Sequence, residues 1–515
     1  MDRLDVATAL AIRERLGARD LARSSAVCRE FNALANDDTL WRGLSSRETH
    51  ALVDADELPA SSTSRDDAGS IAKRLYLCNR GWVDGEIRRD GSCFTRDDAF
   101  VEVAFAPPSG QARARSDPER SPSRSERTDR RFSVRAVRGT GAVLDRPDER
   151  GRAPRPATRV DASDASVTRR VGSRGGGGDD ARRATSATFL ESVPDVAVSG
   201  FADGTLRASC VTLGHRAPLE FAQKCGGRVR ALAALDGAFE MEGEDARALA
   251  VSGDELRRSS AGAKGVLLVA RVPSALPSSP PDDASERPSR RARTGTGDGR
   301  GRRLPVSFGG WCATRDATTA LHRGDARGRL FAGTAGGGVE AFDLGSGQPR
   351  CVASFVGPCA CPVGDVATCG AGSRLVVATY EHEARGTGHA RGCVAFDCRA
   401  GGRVAAVDPP RRYGTLGRAG SGGFGDADGG SREPACALHA DANKVVLGSP
   451  DGFAHVVDPR TWTEVRSFDV AGADAAAPRG RVSLLRARGE RFAAQIDAPR
   501  GCGRLVTFGI GAARW

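Results

Sequence analysis

Three groups of residues in this chain have types and spacings that could do chemistry. Glu381-His382-Glu383 would set an imidazole between two carboxylates, as a general base or a metal ligand. It lies in a Gly-rich loop and lacks the helical His spacing of a metalloprotease. The run Gly175 to Gly178 could cradle a phosphate on backbone N–H groups, but Asp179-Asp180 follows where a phosphate loop needs Gly-Lys-Ser/Thr. Fourteen cysteines could hold zinc or pair as disulfides, yet they are scattered from Cys28 to Cys502 with no Cys-x-x-Cys pair. Cys359 and Cys361 are one residue apart, and Cys393 and Cys398 lie near His389, spacings that match no structural zinc site. The thiols therefore read as reduced and mostly buried. No Gly-x-Ser-x-Gly elbow sits between a strand and a helix. The chain reads as a non-enzyme with no catalytic, metal or cofactor-binding residue, so its elements are expected to position a binding surface.

Composition narrows the class of partner. The 515 residues allow one small and one large domain, or three average ones, and 39% hydrophobic residues suffice for a core interrupted by insertions. The net charge of +11 invites a nucleic-acid reading, but the stretch from Gln111 to Thr185 alone holds 19 Arg against 11 acids and lacks interleaved aromatics. Lysine is almost absent, confined to Lys73, Lys224, Lys264 and Lys444, so the Arg excess reads as codon bias rather than selection for phosphate contacts. No apolar run approaches the roughly 18 to 20 residues that cross a bilayer, and the N-terminus is no secretory signal. A cytoplasmic or nuclear protein with no membrane or nucleic-acid partner is expected. Arg290-Arg291-Ala292-Arg293 with Arg302-Arg303 reads first as a solvated tether and second as a nuclear-import signal.

The first 48 residues carry the clearest helical pattern. Leu4, Ile12 and Leu16 recur at steps of four and eight on one stripe, and Gly17 ends that helix. Asp20 is placed to cap a second helix bearing Leu21, Val27-Cys28, Phe31 and Leu34. Asn36-Asp37-Asp38 breaks it, and Thr39 to Leu44, with Leu40-Trp41, reads as a short third turn. About 45 residues are too few for a self-sufficient core, so part of this apolar surface should face a partner.

This series of residues resembles the F-box family across its whole length. Asp5 stands where the family has Pro, and Phe31 where Trp is common. The resemblance implies docking on a Skp-type adaptor through Leu4, Ile12, Leu16, Leu21, Val27, Cys28, Phe31, Leu40 and Trp41. Through that adaptor it implies a cullin-RING scaffold that recruits a ubiquitin-loaded conjugating enzyme.

Ser45 to Ser70 is polar and reads as a linker. Lys73 to Leu77 with Asn79-Arg80-Gly81-Trp82 resembles the junction of F-box proteins that continue into a propeller. Beyond it, strong helical periodicity is absent and short apolar runs alternate with Gly-rich turns. Val196 to Arg207 reads as strand, Asp203-Gly204 turn, strand, and Val445 to Asp458 repeats it around Asp451-Gly452. Leu330 to Phe355 and Leu375 to Asp397 are further copies, so stacked units are expected. They resemble WD repeats, with Phe342-Asp343, Phe396-Asp397 and Val457-Asp458 at the usual Trp-Asp position and Gly214-His215 before a new unit.

The expected architecture is a small all-α F-box of three helices (1–48), a linker (49–70) and an all-β WD-type propeller of seven blades (71–515). Low-complexity insertions are expected at about 107–131, 146–187, 274–303 and 409–433. Asp203, Gly204, Asp451, Gly452, Asp343, Asp397 and Asp458 are expected to shape turns. The combination implies the substrate receptor of a Skp-cullin-F-box ubiquitin ligase, whose propeller holds a protein client, phosphorylated clients included. Two alternatives stand beside it. One is a propeller scaffold with a non-functional F-box; the other is a receptor for a different cullin adaptor, through Phe396-Asp397-Cys398-Arg399 and Val457-Asp458-Pro459-Arg460.

Overall fold

The computed structural model describes residues 6–48, 51–58, 71–95, 100–106, 133–138, 143–146, 184–190, 196–210, 223–224, 227–235, 246–253, 265–273, 307–324, 328–345, 348–358, 360–370, 372–382, 390–407, 437–449, 452–471, 480–497 and 503–510. The expected insertions at 107–131, 274–303 and 409–433 lie outside the described residues, as do Glu383, His215 and the run 175–178. The insertion expected at 146–187 ends earlier: residues from Ala184 already form a strand with Ala184 and Ala187 buried.

The N-terminal region has four helices where three were expected: α1 (Val6–Arg13), α2 (Ala18–Ser24), α3 (Arg29–Ala35) and α4 (Asp38–Glu48). The predicted second helix is split, because Cys28 takes an extended conformation (φ −157°, ψ 173°) and its Sγ accepts the Phe31 N–H at 3.5 Å. That makes Cys28 the N-cap of α3. Gly17, not Asp20, caps α2; Asp20 sits in the first turn, where a carboxylate suits the helix dipole. The short third turn is an 11-residue helix.

A fifth helix, α5 (Ile71–Asp84), was not expected. At 100° per residue, Ala72 and Tyr76 fall on one stripe and Cys78 and Trp82 on another roughly 120° away. All four are buried, the first pair among the N-terminal helices and the second against the sheets. The helix thus serves two partners at once, the N-terminal helices and the sheets.

The rest forms seven antiparallel sheets. After α5 comes β1 (Ile87–Thr95). Sheet 1 is β2 (Phe100–Ala106), β3 (Ser133–Arg138) and β4 (Val143–Arg146). Sheet 2 is β5 (Ala184–Phe189), β6 (Val196–Phe201), β7 (Thr205–Cys210) and β8 (Gln223–Lys224). Sheet 3 is β9 (Val229–Ala234), β10 (Ala246–Gly253), β11 (Gly265–Pro273) and β12 (Ser307–Thr314). Sheet 4 is β13 (Thr318–Arg323), β14 (Arg329–Thr334), β15 (Val339–Asp343) and β16 (Arg350–Phe355). Sheet 5 is β17 (Val363–Cys369), β18 (Leu375–His382), β19 (Ala390–Asp397) and β20 (Arg403–Val407). Sheet 6 is β21 (Ala437–Ala440), β22 (Val445–Gly448), β23 (Phe453–Asp458) and β24 (Thr463–Asp469). Sheet 7 is β25 (Arg481–Arg488), β26 (Arg491–Asp497) and β27 (Gly503–Ile510), completed by β1 from the other end of the chain.

Innermost strands β2, β5, β9, β13, β17, β21 and β25 each touch the next, and β25 touches β2, which closes a propeller ring. The expectation of seven full blades is corrected. Among the described residues there are six four-stranded blades, and sheet 1 has three strands.

Apolar clusters lie between neighbouring sheets, the largest joining sheets 6 and 7. Middle strands are buried on both faces, all six residues of β6 included, so they lack the in-out alternation of a one-sided sheet. The recognisable repeats are these middle hairpins, β6–β7, β14–β15, β18–β19 and β22–β23. Their glycines have a packing reason. A methyl on Gly333 would lie 2.5 Å from Val363 Cγ1 of the next blade, and one on Gly448 would lie 2.5 Å from Val482 Cγ1. Gly200 meets Val229 in the same way. Gly448→Ala should therefore overpack this interface and cost about 1–3 kcal/mol, read as a lowered denaturation midpoint with unchanged far-UV dichroism.

Gly204 (φ 81°) and Gly452 (φ 87°) take left-handed backbone, and Asp203 Oδ1 accepts the Thr205 N–H at 3.0 Å. Asp343, Asp397 and Asp458 each accept a backbone N–H two residues on, from Gly345, Arg399 and Arg460 at 2.9, 2.7 and 2.9 Å. Asp451 lies outside the described residues.

Candidate adaptor-binding face and its support

The N-terminal helices close on a small core of Leu21, Leu40, Trp41 and Leu44, with Ala72 and Tyr76 of α5. The Trp41 Nε1–H donates to Ala35 O at 2.7 Å, satisfying a carbonyl at the end of α3, and its ring lies 5.3 Å from that of Tyr76. The α5 helix thus supplies the core that the N-terminal residues could not complete alone.

Eight of the nine predicted contact residues are described, and they separate into three groups. Leu21, Leu40 and Trp41 are 0%, 1% and 0% exposed, so they support the surface from within. Leu16 is partly buried against the same core, and Phe31 is partly buried under the Arg13 guanidinium, 4.5 Å from its ring centroid. Ile12 and Val27 are 53% and 68% exposed, and Cys28 is exposed. Leu4 lies outside the described residues. Ile12, Val27 and Cys28 are thus the predicted contact residues that remain open to solvent.

The sequence reading missed what fastens this module to the ring. Residues 51–58, assigned to a linker, pack with Leu52 and Val53 buried in the core shared by sheets 6 and 7. Asn79 Oδ1 accepts the N–H groups of both Leu52 and Val53 at 2.8 Å. The Trp82 Nε1–H donates to Gly489 O at 2.7 Å, and its ring packs near Phe492. Lys444, in the β21–β22 turn, is fully buried and donates to Leu52 O at 2.9 Å and Glu57 Oε2 at 3.2 Å, and pairs closely with Asp441. Its ammonium also lies 5.4 Å from the Trp82 ring centroid. The one available signal was lysine itself, retained here in a chain that otherwise uses arginine.

Burial by itself would raise the Asp441 pKa, but Lys444 and His439 hold it well below the usual carboxylate range. Burial raises Glu57 against the pull of Lys444. Burial opposes the Lys444 ammonium, yet Asp441 and Glu57 raise its pKa above the ordinary value.

A second polar group lines the inner strands. Arg486 makes a two-point ion pair with Glu102, Nε to Oε1 and Nη2 to Oε2 both at 3.0 Å. His322 Nε2 is 3.2 Å from Thr368 Oγ1, and burial, then Arg486, pushes His322 down to about 3. Burial pushes Asp365 up to about 6 despite Arg486. A neutral histidine and a committed carboxylate brace neighbouring strands here. The Arg460 guanidinium likewise pairs back with Asp458, at 3.0 and 2.8 Å, inside its own turn. Among the described residues, no group of His, Cys, Asp and Glu is arranged to hold a metal, and no helix is long and apolar enough to cross a membrane.

No curated protein matches the chain. Residues 8–47 match the F-box-like family, a stretch that runs from within α1 into α4. The chain therefore carries an F-box-like domain at its N-terminus followed by a β-propeller, the arrangement of an F-box protein with a propeller.

Proposed function

We propose that this chain is the non-catalytic substrate receptor of a Skp-cullin-F-box ubiquitin ligase. The carrying observation is an F-box-like module, residues 8–47, that keeps Ile12 and Val27 in solvent while α5 packs between it and the propeller and Lys444 holds the following residues 51–58. The Skp-type adaptor covers that surface, and the propeller, of WD-repeat type, holds the client. Chemistry remains with the conjugating enzyme; the receptor contributes proximity by raising the local concentration of client lysines.

The client is assigned to the face away from the F-box. Strand β25 ends beside Gly489, under Trp82, and begins at Arg481, roughly 23 Å away at 3.3 Å per residue. Arg481, partly exposed at that far end of β25, offers a cation to an anionic client group such as a phosphate.

The test is adaptor binding by the full chain and by an Ile12→Asp, Val27→Asp variant. Removing two apolar side chains of this size from an interface and adding two carboxylates should weaken binding about 100-fold or more. The melting temperature should not change, because both positions are exposed in the free chain. Absence of a complex with the wild-type chain would overturn the receptor reading and leave a propeller scaffold.

A further inference from the structure

The scarcity of lysine has a consequence for the receptor's own fate. In a ubiquitin ligase the thioester-bearing conjugating enzyme meets every nearby amine at high effective concentration, the receptor's included. Transfer needs a free amine that reaches the thioester carbonyl. A C–N bond forms, the C–S bond breaks, the thiolate stays on the enzyme and the nitrogen loses a proton.

Only four lysines occur in 515 residues, and arginine, always protonated, is no acceptor. Lys444 is fully buried, and its donors are used on Leu52 O, Glu57 and Asp441. Lys73 is partly buried at the start of α5; it donates to Asn36 Oδ1 at 2.8 Å and lies 5.3 Å from the Trp41 ring centroid. Lys73 ties α5 to the F-box-like module and Lys444 ties residues 51–58 to sheet 6, so each would have to leave a structural contact to react.

We propose that Lys73 and Lys444 are withheld from amine-directed modification, so that the ligase spares its receptor at these two structural lysines. Whatever lysine-linked ubiquitin the chain accepts is then confined to Lys224 and Lys264. The inference rests on the receptor reading for its biological meaning, but the withholding is a property of the chain alone. Burial lowers the pKa of Lys73, which favours its free amine, so for this residue the contacts provide the protection.

Two measurements separate the two layers. Brief acetylation of the full native chain with an N-hydroxysuccinimide ester, mapped by peptide mass spectrometry, should label Lys444 at least 100-fold and Lys73 at least 10-fold more slowly than in guanidinium. Native labelling of either residue at the unfolded rate would overturn the proposal, whether or not the chain is a receptor. The second is reconstituted ubiquitination with adaptor, cullin-RING and conjugating enzyme. A Lys224→Arg, Lys264→Arg chain should lose lysine-linked self-modification at least 10-fold, and isopeptide remnants on Lys73 or Lys444 would overturn the proposal. If no adaptor complex forms, the receptor reading fails, and acetylation still decides the withholding.

Discussion

Lys444→Met should cost about 3–5 kcal/mol of stability, more than any charge change on the surface of this chain. The methionine fills much of the same volume, but Asp441 and Glu57 lose their counter-charge and Leu52 O its donor. Removing one partner of a buried ion pair leaves the other charge uncompensated in a low-dielectric site, which is why the loss exceeds the net worth of the pair. Urea denaturation should show a lower midpoint, and residues 51–58 should become the first site of proteolytic cleavage. Replacing Lys444, Asp441 and Glu57 together by apolar residues should recover much of the loss, since no charge then remains to be desolvated.

The effect should depend on pH in a defined direction. Asp441 titrates below its unfolded value near 3.8, so its contribution is present above that pH and is lost as pH falls. Lys444 titrates above its unfolded value near 10.5, so its contribution is present below that pH and fades as pH rises beyond it. Glu57 is shifted upward and acts in the opposite sense, subtracting stability as pH rises through 4.5 and beyond. The difference between wild type and Lys444→Met should be widest from about pH 6 to 10. A difference that stays constant from pH 3 to 10 would refute the charge argument and leave only packing.

Trp41→Ala should be the second large effect, and it should act through folding rather than contact. The indole is 0% exposed, bonds Ala35 O and packs on Tyr76. Truncating a buried tryptophan typically costs about 3–5 kcal/mol, a loss a module of this size cannot absorb without local unfolding. The expected result is loss of adaptor binding together with loss of hydrogen-exchange protection in α3 and α4, while β25 to β27 stay protected. This contrasts with Ile12→Asp, Val27→Asp, which should lose binding with protection intact. Retained protection in Trp41→Ala with binding abolished would instead make Trp41 a contact residue.

Much of the local structure was legible in the chain. The F-box-like match, at residues 8–47, falls where the spacing of Ile12, Leu16, Leu21, Phe31 and Trp41 placed it. Asp203 with Gly204, and Asp343, Asp397 and Asp458, do the turn work their residue types dictate, because an Asx turn is satisfied within three residues of sequence. The break at Cys28 was harder to see, since an extended cysteine N-cap leaves the apolar spacing on either side intact. Helix α5, whose two buried stripes serve two different partners, was missed.

Sequence by itself determined where the N-terminal helices and the hairpins with their turns lie, because helix spacing and tight turns are fixed a few residues apart. Tertiary structure alone decided which side of those helices is open. The pattern marks Trp41 and Val27 alike as apolar, and only the packing of α5 buries the first and leaves the second in water. It also decided that residues 51–58 are a packed strap and that Lys444, nearly 400 positions away, closes on them. No local rule can report such a pairing, because what makes a buried ammonium tolerable is the set of carboxylates and carbonyls that the closed ring brings around it.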